Sequence, residues 1–130
     1  MNRQRIHLVI IGIVLILIVA SCTPASNTFP TGVYQTQNTY GSFIISFKSD
    51  GTYAMAVADL SGASITGTYT LNGNQISFIN LSGESYCSSN KGTYTWTYDN
   101  KTQTLAFTGS NDNCNIRWSI LVANPLIKKT

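Results

Sequence analysis

The chain has 130 residues, 43% of them hydrophobic and only 10% charged, with a formal net charge of +3. That length suits a single domain, and so thin a charge gives no basic footprint for nucleic acid. One histidine, His7, and three cysteines narrow the available chemistry further.

Arg3 and Arg5 open the chain, and Leu8 to Ala20 then runs through aliphatic residues interrupted only by Gly12. As a helix this run spans about 20 Å, short of the roughly 20 residues that cross a bilayer core. A basic start followed by a short apolar run predicts a signal peptide rather than a stable transmembrane anchor. Val19-Ala20-Ser21-Cys22 follows at once. It resembles the lipobox of bacterial lipoproteins: an aliphatic residue, two small residues and a cysteine. The resemblance implies cleavage before Cys22, lipid on its thiol (a diacylglycerol, with palmitate-type acylation), and a lipid-anchored, extracytoplasmic protein of the cell envelope. Inner membrane, outer membrane and cell surface stay open. The expected division is a signal peptide over 1–21, lipidated Cys22 with a tether to residue 30, and one domain over 31–130.

Processing changes the chemistry. Arg3, Arg5 and His7 leave, and the mature chain keeps six basic residues against five acidic ones, a net charge near +1. Cys87 and Cys114 remain, and an even remainder in an exported chain predicts one disulfide. Closing that loop contributes roughly 3 to 4 kcal/mol through chain entropy. Two thiols without a histidine offer too few ligands for a metal. Ser-His-Asp and Cys-His catalysis lack an imidazole. Asp50 and Asp99 fall in tight turns, where their side chains cap backbone amides. Asp59, Glu84 and Asp112 fall in longer loops, where solvation explains them more simply than a glycosidase-type pair. No enzymatic activity, metal or cofactor is expected.

Thr23 to Pro30, with Pro24, Ser26, Asn27 and Pro30, reads as a solvated tether. From Thr31 onward period-two alternation prevails. The first strand is Thr31 to Gln37. Phe43, Ile45 and Phe47 alternate with Ser42, Ser46 and Lys48; Tyr53, Met55 and Val57 alternate with alanines. Tyr69 and Leu71 oppose Thr68 and Thr70, and Ile76 and Phe78 follow a turn. Tyr94, Trp96 and Tyr98 alternate with threonines; Leu105 and Phe107 continue; Ile116, Trp118, Ile120 and Val122 close the series. That makes eight strands, each with one apolar and one hydroxyl-rich face, as in a half-buried antiparallel sheet. Gly-Thr-Tyr recurs at Gly51, Gly67 and Gly92, a hairpin solution repeated rather than a duplication.

The connections alternate in length. Ser49-Asp50-Gly51, Asn72-Gly73-Asn74 and Asp99-Asn100-Lys101 are tight, with Asn-Gly a strong hairpin marker. Gln37 to Gly41, Asp59 to Ala63, Leu81 to Lys91 and Gly109 to Asn115 are longer. In an eight-stranded antiparallel up-and-down barrel, alternate connections lie at opposite ends. One end is then closed by short hairpins, and the other carries a rim of longer loops that holds both Cys87 and Cys114.

Such a barrel resembles the lipocalin and calycin group, including lipocalin-like domains of bacterial lipoproteins. Gly32-Val33-Tyr34 resembles the Gly-x-Trp signature of the first lipocalin strand, with tyrosine in place of tryptophan. Arg117 resembles the arginine that packs over that ring. Gly92-Thr93-Tyr94-Thr95-Trp96 with Asp112-x-Cys114-x-x-Arg117 is similar to the bacterial lipocalin-like pattern.

Eight strands enclose a space that side chains fill or that holds one small ligand. Inward candidates are Tyr53, Tyr69, Phe78, Tyr94, Trp96, Tyr98, Phe107 and Trp118. Of these, Tyr53, Tyr69, Tyr94, Trp96, Phe107 and Trp118 are the candidate wall of a cavity for a small apolar ligand. Three readings stay open. A lipocalin-like binding protein has an open apolar cavity. An interaction or inhibitor module has a filled barrel and an exposed aromatic rim, with Tyr40, Glu84, Tyr86 and Asp112 as contact candidates. A structural envelope protein has a filled barrel and a polar rim. Both termini of the domain fall at the short-hairpin end, so the lipid on Cys22 is expected to hold that end toward the membrane, with Lys128 and Lys129 either near the lipid surface or in a solvated tail.

Overall fold

The computed structural model describes residues 28–58, 64–82 and 90–130. The expected signal peptide, Cys22, most of the expected tether, and Asp59, Glu84, Tyr86 and Cys87, expected at the rim, lie outside them.

Alternation writes the strands. They are β1 (Gly32–Asn38), β2 (Gly41–Phe47), β3 (Thr52–Val57), β4 (Ser64–Asn72), β5 (Gln75–Ser82), β6 (Gly92–Asp99), β7 (Thr104–Asn111) and β8 (Leu126–Lys128). Each pairs antiparallel with its chain neighbours, and β8 pairs back onto β1, so the sheet closes as an up-and-down barrel. The inward residues are those of one period-two register. Tyr34, Ile45, Phe47, Tyr53, Met55, Tyr69, Ile76, Phe78, Tyr94, Trp96, Leu105 and Phe107 are all buried. The tight hairpins after β2, β4 and β6 share one end with the start of β1 and the end of β8, called here the closed end.

Two bulges bend the strands toward the rim. Between β4 and β5 the register shifts at Thr66/Gly67, leaving Leu81 unpaired beside Asn80. Between β6 and β7 it shifts at Tyr94/Thr95, where Gly109 adopts a φ of 55°. An extra residue of this kind re-aims its neighbours, and here those neighbours include Asn80 and Tyr94.

Three expectations are corrected. The connection from Gln37 to Gly41 is no long loop: Asn38 pairs with Gly41 across a two-residue turn, and the Asn38 side-chain oxygen accepts the Tyr40 N–H at 2.8 Å. That side chain supplies the turn with its own local hydrogen bond.

The segment expected as the eighth strand, Ile116 to Val122, is instead a helix, α1 (Asn115–Val122). Ile116, Trp118, Ile120 and Val122 alternate, but Arg117, Ile120 and Leu121 also stand at helical spacing, and these three are buried. An eight-residue apolar run satisfies both periods. Tertiary packing chooses the helix because it alone turns Arg117 inward. Cys114 caps it, its sulfur accepting the Arg117 N–H at 3.4 Å. Pro125 lies just beyond, where a helix cannot continue. The eighth strand is therefore the three residues Leu126–Lys128.

The third correction concerns the tether, which is not solvated throughout. Phe29 is buried inside the closed end, with its ring centroid 5.3 Å from Phe47, 5.3 Å from Trp96 and 5.4 Å from Tyr69. The packed domain thus begins ahead of residue 31.

Candidate functional site

Rings fill the barrel axis in layers. Phe29 meets Phe47; Phe47 meets Phe78 and Phe107 at 6.0 and 6.2 Å; Phe78 meets Tyr53 and Tyr94 at 5.1 and 5.7 Å. Most of these contacts are edge-to-face, the arrangement aromatic quadrupoles favour. Tyrosine hydroxyls inside a barrel need partners, and a ligand could supply them. Here the protein does. Tyr34 donates to the Pro30 carbonyl at 2.6 Å and Tyr69 to the Lys48 carbonyl at 2.5 Å; Tyr53 donates to Asn80 and Tyr94 to Asp112.

Above the rings, at the rim end, sits a buried polar cluster. The Arg117 Nε and Nη2 groups donate to the two carboxylate oxygens of Asp112 at 2.7 and 2.8 Å, a bidentate pair with neither side chain exposed. Arg117 Nη1 donates to the Asn80 side-chain oxygen and Nη2 to the Asn90 carbonyl, both at 2.7 Å. Asp112 also accepts the Cys114 N–H at 2.7 Å. The sequence allows this locally: five residues from Asp112 to Arg117 hold the cap of α1, so the helix start swings the guanidinium back over its own loop. Gly92 forms the floor, since a Cβ there would collide with the Asp112 carboxylate and stand 2.9 Å from Arg117 Nη2.

The protonation states follow from these contacts. Burial pushes the Asp112 carboxyl up, but hydrogen bonds from Arg117, Tyr94 and the Cys114 amide outweigh it and hold it below the ordinary carboxylate value. Burial pushes the Tyr94 hydroxyl up, and the hydrogen bond to Asp112 pushes it further. Burial also raises Tyr53, against the opposing charge of Arg117. Four of the five guanidinium N–H groups are bound to protein acceptors, and both carboxylate oxygens are occupied. The cluster offers a substrate neither a base nor an anion-binding fork. What it can do is fasten: it ties α1, the loop after β7, β5 and Asn90, two residues ahead of β6, together beneath the rim. Among the described residues, the Asn80 Nδ2 group in the cluster and the Trp96 indole N–H deeper in the barrel are buried without a hydrogen-bond partner.

The candidate cavity wall divides accordingly. Tyr53, Tyr69, Tyr94, Trp96 and Phe107 are brought together inside the barrel. Trp118 is not: it lies on the outer side of α1, 44% exposed, because the helical turn that buries Arg117 rotates Trp118 outward. Asp112, expected as a rim contact, has its side chain turned inward; Tyr40 is 77% exposed at the rim. Gly32 and Tyr34 stand at the start of β1, with Tyr34 fully buried.

Arg117, expected over that ring, sits at the other end of the barrel. Lys128 takes the place instead, its Nζ 6.0 Å from the Tyr34 ring centroid, because β8 pairs Lys128 with Tyr34. Cys114 is buried at the cap of α1, while Cys87 lies outside the described residues. Asn80 was legible and missed: it follows Ile76 and Phe78 in the inward register of β5, a polar residue on an apolar face.

Outside the barrel, β8 covers only Tyr34 and Gln35 of β1. The seam beyond it is a groove of about 680 Å³ lined by Gln35, Gln37, Thr104, Ile127, Lys128 and Lys129, among others.

Fold and site together define a class: an eight-stranded closed antiparallel barrel packed with aromatic rings, bolted at one end by a buried ion pair. No protein-family model, curated protein or solved structure matches this chain.

Proposed function

We propose that this protein is an exported envelope lipoprotein, anchored through lipid on Cys22, whose lipocalin-like barrel is a rigid scaffold presenting its rim to a protein partner. The observation that carries the reading is the contrast between the filled interior of the barrel and its exposed rim. Inside, rings are in mutual contact and the tyrosine hydroxyls are already partnered, which leaves a small apolar ligand little to recognise. At the rim, Tyr40, Ile116, Trp118 and Leu81 are exposed, at 77%, 41%, 44% and 67%. Exposed tryptophan and tyrosine are the residues that most often anchor protein interfaces. The partner surface should therefore carry an apolar pocket able to take an indole ring.

A disulfide between Cys87 and Cys114 belongs to this reading. It would join the β5–β6 connection to the cap of α1, on the same side as the Arg117–Asp112 pair, and hold the contact face in one shape. A preformed face binds with less ordering cost.

The test is site-specific photo-crosslinking in the host envelope from positions 40 and 118, with position 74 on the closed end as control. Capture of one and the same protein from both rim positions, absent from position 74, supports the reading. Native mass spectrometry that finds a small molecule released on denaturation would overturn it in favour of a ligand-binding barrel. Mass analysis of the N-terminal peptide tests the anchor: processing at Cys22 with an added lipid is expected, and an unprocessed N-terminus in a Cys22→Ala variant.

A further inference from the structure

We infer that the closed end of the barrel is a docking surface for an anionic phospholipid leaflet; this rests on the proposed anchor at Cys22. The five lysines after Cys22 are not spread evenly. Lys48 and Lys101 stand in the hairpins after β2 and β6, and Lys128 and Lys129 lie at the end of β8, all at the closed end. Only Lys91, just ahead of β6, is at the rim. The sixth mature cation, Arg117, is neutralised by Asp112 inside the barrel. The free positive charge of the described residues therefore gathers at one end.

Asp50 and Asp99 share that end, and both carboxylates are turned onto their own hairpins. Asp50 accepts the Thr52 N–H and hydroxyl at 2.9 and 2.6 Å; Asp99 accepts the Lys101 N–H at 2.8 Å. The lysine ammonium groups of Lys48, Lys101 and Lys129 make no ion pair with them and stand exposed. Four lysine side chains outnumber the two side-chain carboxylates and the α-carboxylate of Thr130, so the end is net positive. Leu71 and Ile127, 46% and 60% exposed, lie on the outer wall at this end and add apolar surface of the kind that settles at a headgroup boundary.

Length supplies the second argument. Phe29 is locked into the closed end, so only six residues separate it from Cys22. Fully extended, that stretch reaches at most about 25 Å. A lipid at Cys22 thus keeps the closed end near the bilayer at all times. Clusters of basic residues held that close to anionic headgroups are attracted to them within a Debye length. The rim, carrying Tyr40 and Trp118, then faces outward.

The experiment uses the full lipidated protein in vesicles of phosphatidylglycerol or of phosphatidylcholine. A membrane-impermeant amine-acylating reagent is applied, and modification at each lysine is read by mass spectrometry relative to Lys91. Expected is a several-fold protection of Lys48, Lys101 and Lys129 in phosphatidylglycerol that is absent in phosphatidylcholine and is relieved by high salt. A Lys101→Gln/Lys129→Gln variant should lose the protection at Lys48. Equal reactivity in both vesicles, with lipid on the Cys22 peptide of the same digest, overturns the docking surface alone. A Cys22 peptide without lipid overturns the anchor and the docking surface together.

Discussion

Asp112 and Arg117 stand five residues apart and meet through two parallel hydrogen bonds of 2.7 and 2.8 Å, with the cap of α1 lying between them in the chain. The loop from Asp112 to Cys114 is thereby folded onto the helix it introduces. Because Asn80 and Asn90 take two further guanidinium donors, the pair also reaches segments far away in sequence. The rim of the barrel is held by one fully desolvated charge pair.

Removing either partner should be costly. Breaking a buried pair leaves an uncompensated charge, worth about 3–5 kcal/mol. Asp112→Ala should therefore lower the unfolding free energy by that amount in urea titrations. Replacing both with apolar residues of similar volume, Asp112→Leu with Arg117→Met, should cost clearly less than Asp112→Ala alone. Equal losses would mean that packing, not charge, is what the site requires.

The same pair sets the response to acid and base. The folded Asp112 carboxyl is depressed, so its contribution is present above the unfolded value of about 3.9 and is lost as pH falls through the folded value. The buried hydroxyls of Tyr53 and Tyr94 are raised, so their contribution is present below about 10 and is lost as pH rises beyond it. Urea midpoints measured across pH should fall at both extremes. In Asp112→Asn the acid limb should flatten, and in Tyr94→Phe the alkaline limb should.

Gly92 should resist substitution for a spatial reason. A methyl there meets the Asp112 carboxylate and Arg117 Nη2, and neither can withdraw without giving up its partners. Gly92→Ala should cost about 1–3 kcal/mol through overpacking, and the loss should shrink in the Asp112→Ala background. Gly73→Ala makes the control, since nothing lies within 4 Å of its added carbon and only its φ of 58° resists.

Much of this architecture was readable from alternation alone. The inward sets Phe43/Ile45/Phe47, Tyr53/Met55 and Leu105/Phe107 are buried as their period demands, and the hairpins fall at Asp50-Gly51, Asn72-Gly73 and Asp99-Asn100. Apart from the turn that Asn38 closes locally, the failures share a cause: each concerned a residue whose role depends on something distant. Ile116 to Val122 fits a strand locally, and only the need to bring Arg117 to Asp112 makes it a helix. Arg117 is near the chain end, as the resembling arginine would be, yet the helix consumes the intervening residues and Lys128 reaches Tyr34 instead. Asn80 stood in plain alternation with Ile76 and Phe78, but its meaning required a charge partner 37 residues on.

Trp118 separates function from stability. Its ring lies on the outer side of α1, so Trp118→Ser should change the unfolding free energy by no more than about 0.5 kcal/mol. The same substitution should abolish crosslinking from position 40 if Trp118 anchors the partner. A large loss of stability would instead place the indole in the packing of the rim.

Phe29 is the residue that gave no periodic signal, since one aromatic in a stretch of proline, serine and threonine forms no pattern. It nevertheless meets Phe47, Tyr69 and Trp96 from the end of the barrel, and Tyr34 fastens the next residue through the Pro30 carbonyl. Phe29→Ala should cost about 3–5 kcal/mol, the range for emptying a buried aromatic site. It should also shift Trp96 emission to the red, because the indole would lose the ring that shields it. A chain begun at Thr31 should show both changes without any substitution. If that shortened chain proves as stable as one begun at Thr28, Phe29 is an ornament of the tether. If it is weaker by the same amount as Phe29→Ala, the segment ahead of β1 is part of the barrel, and the proposed anchor at Cys22 would be tied directly to the core.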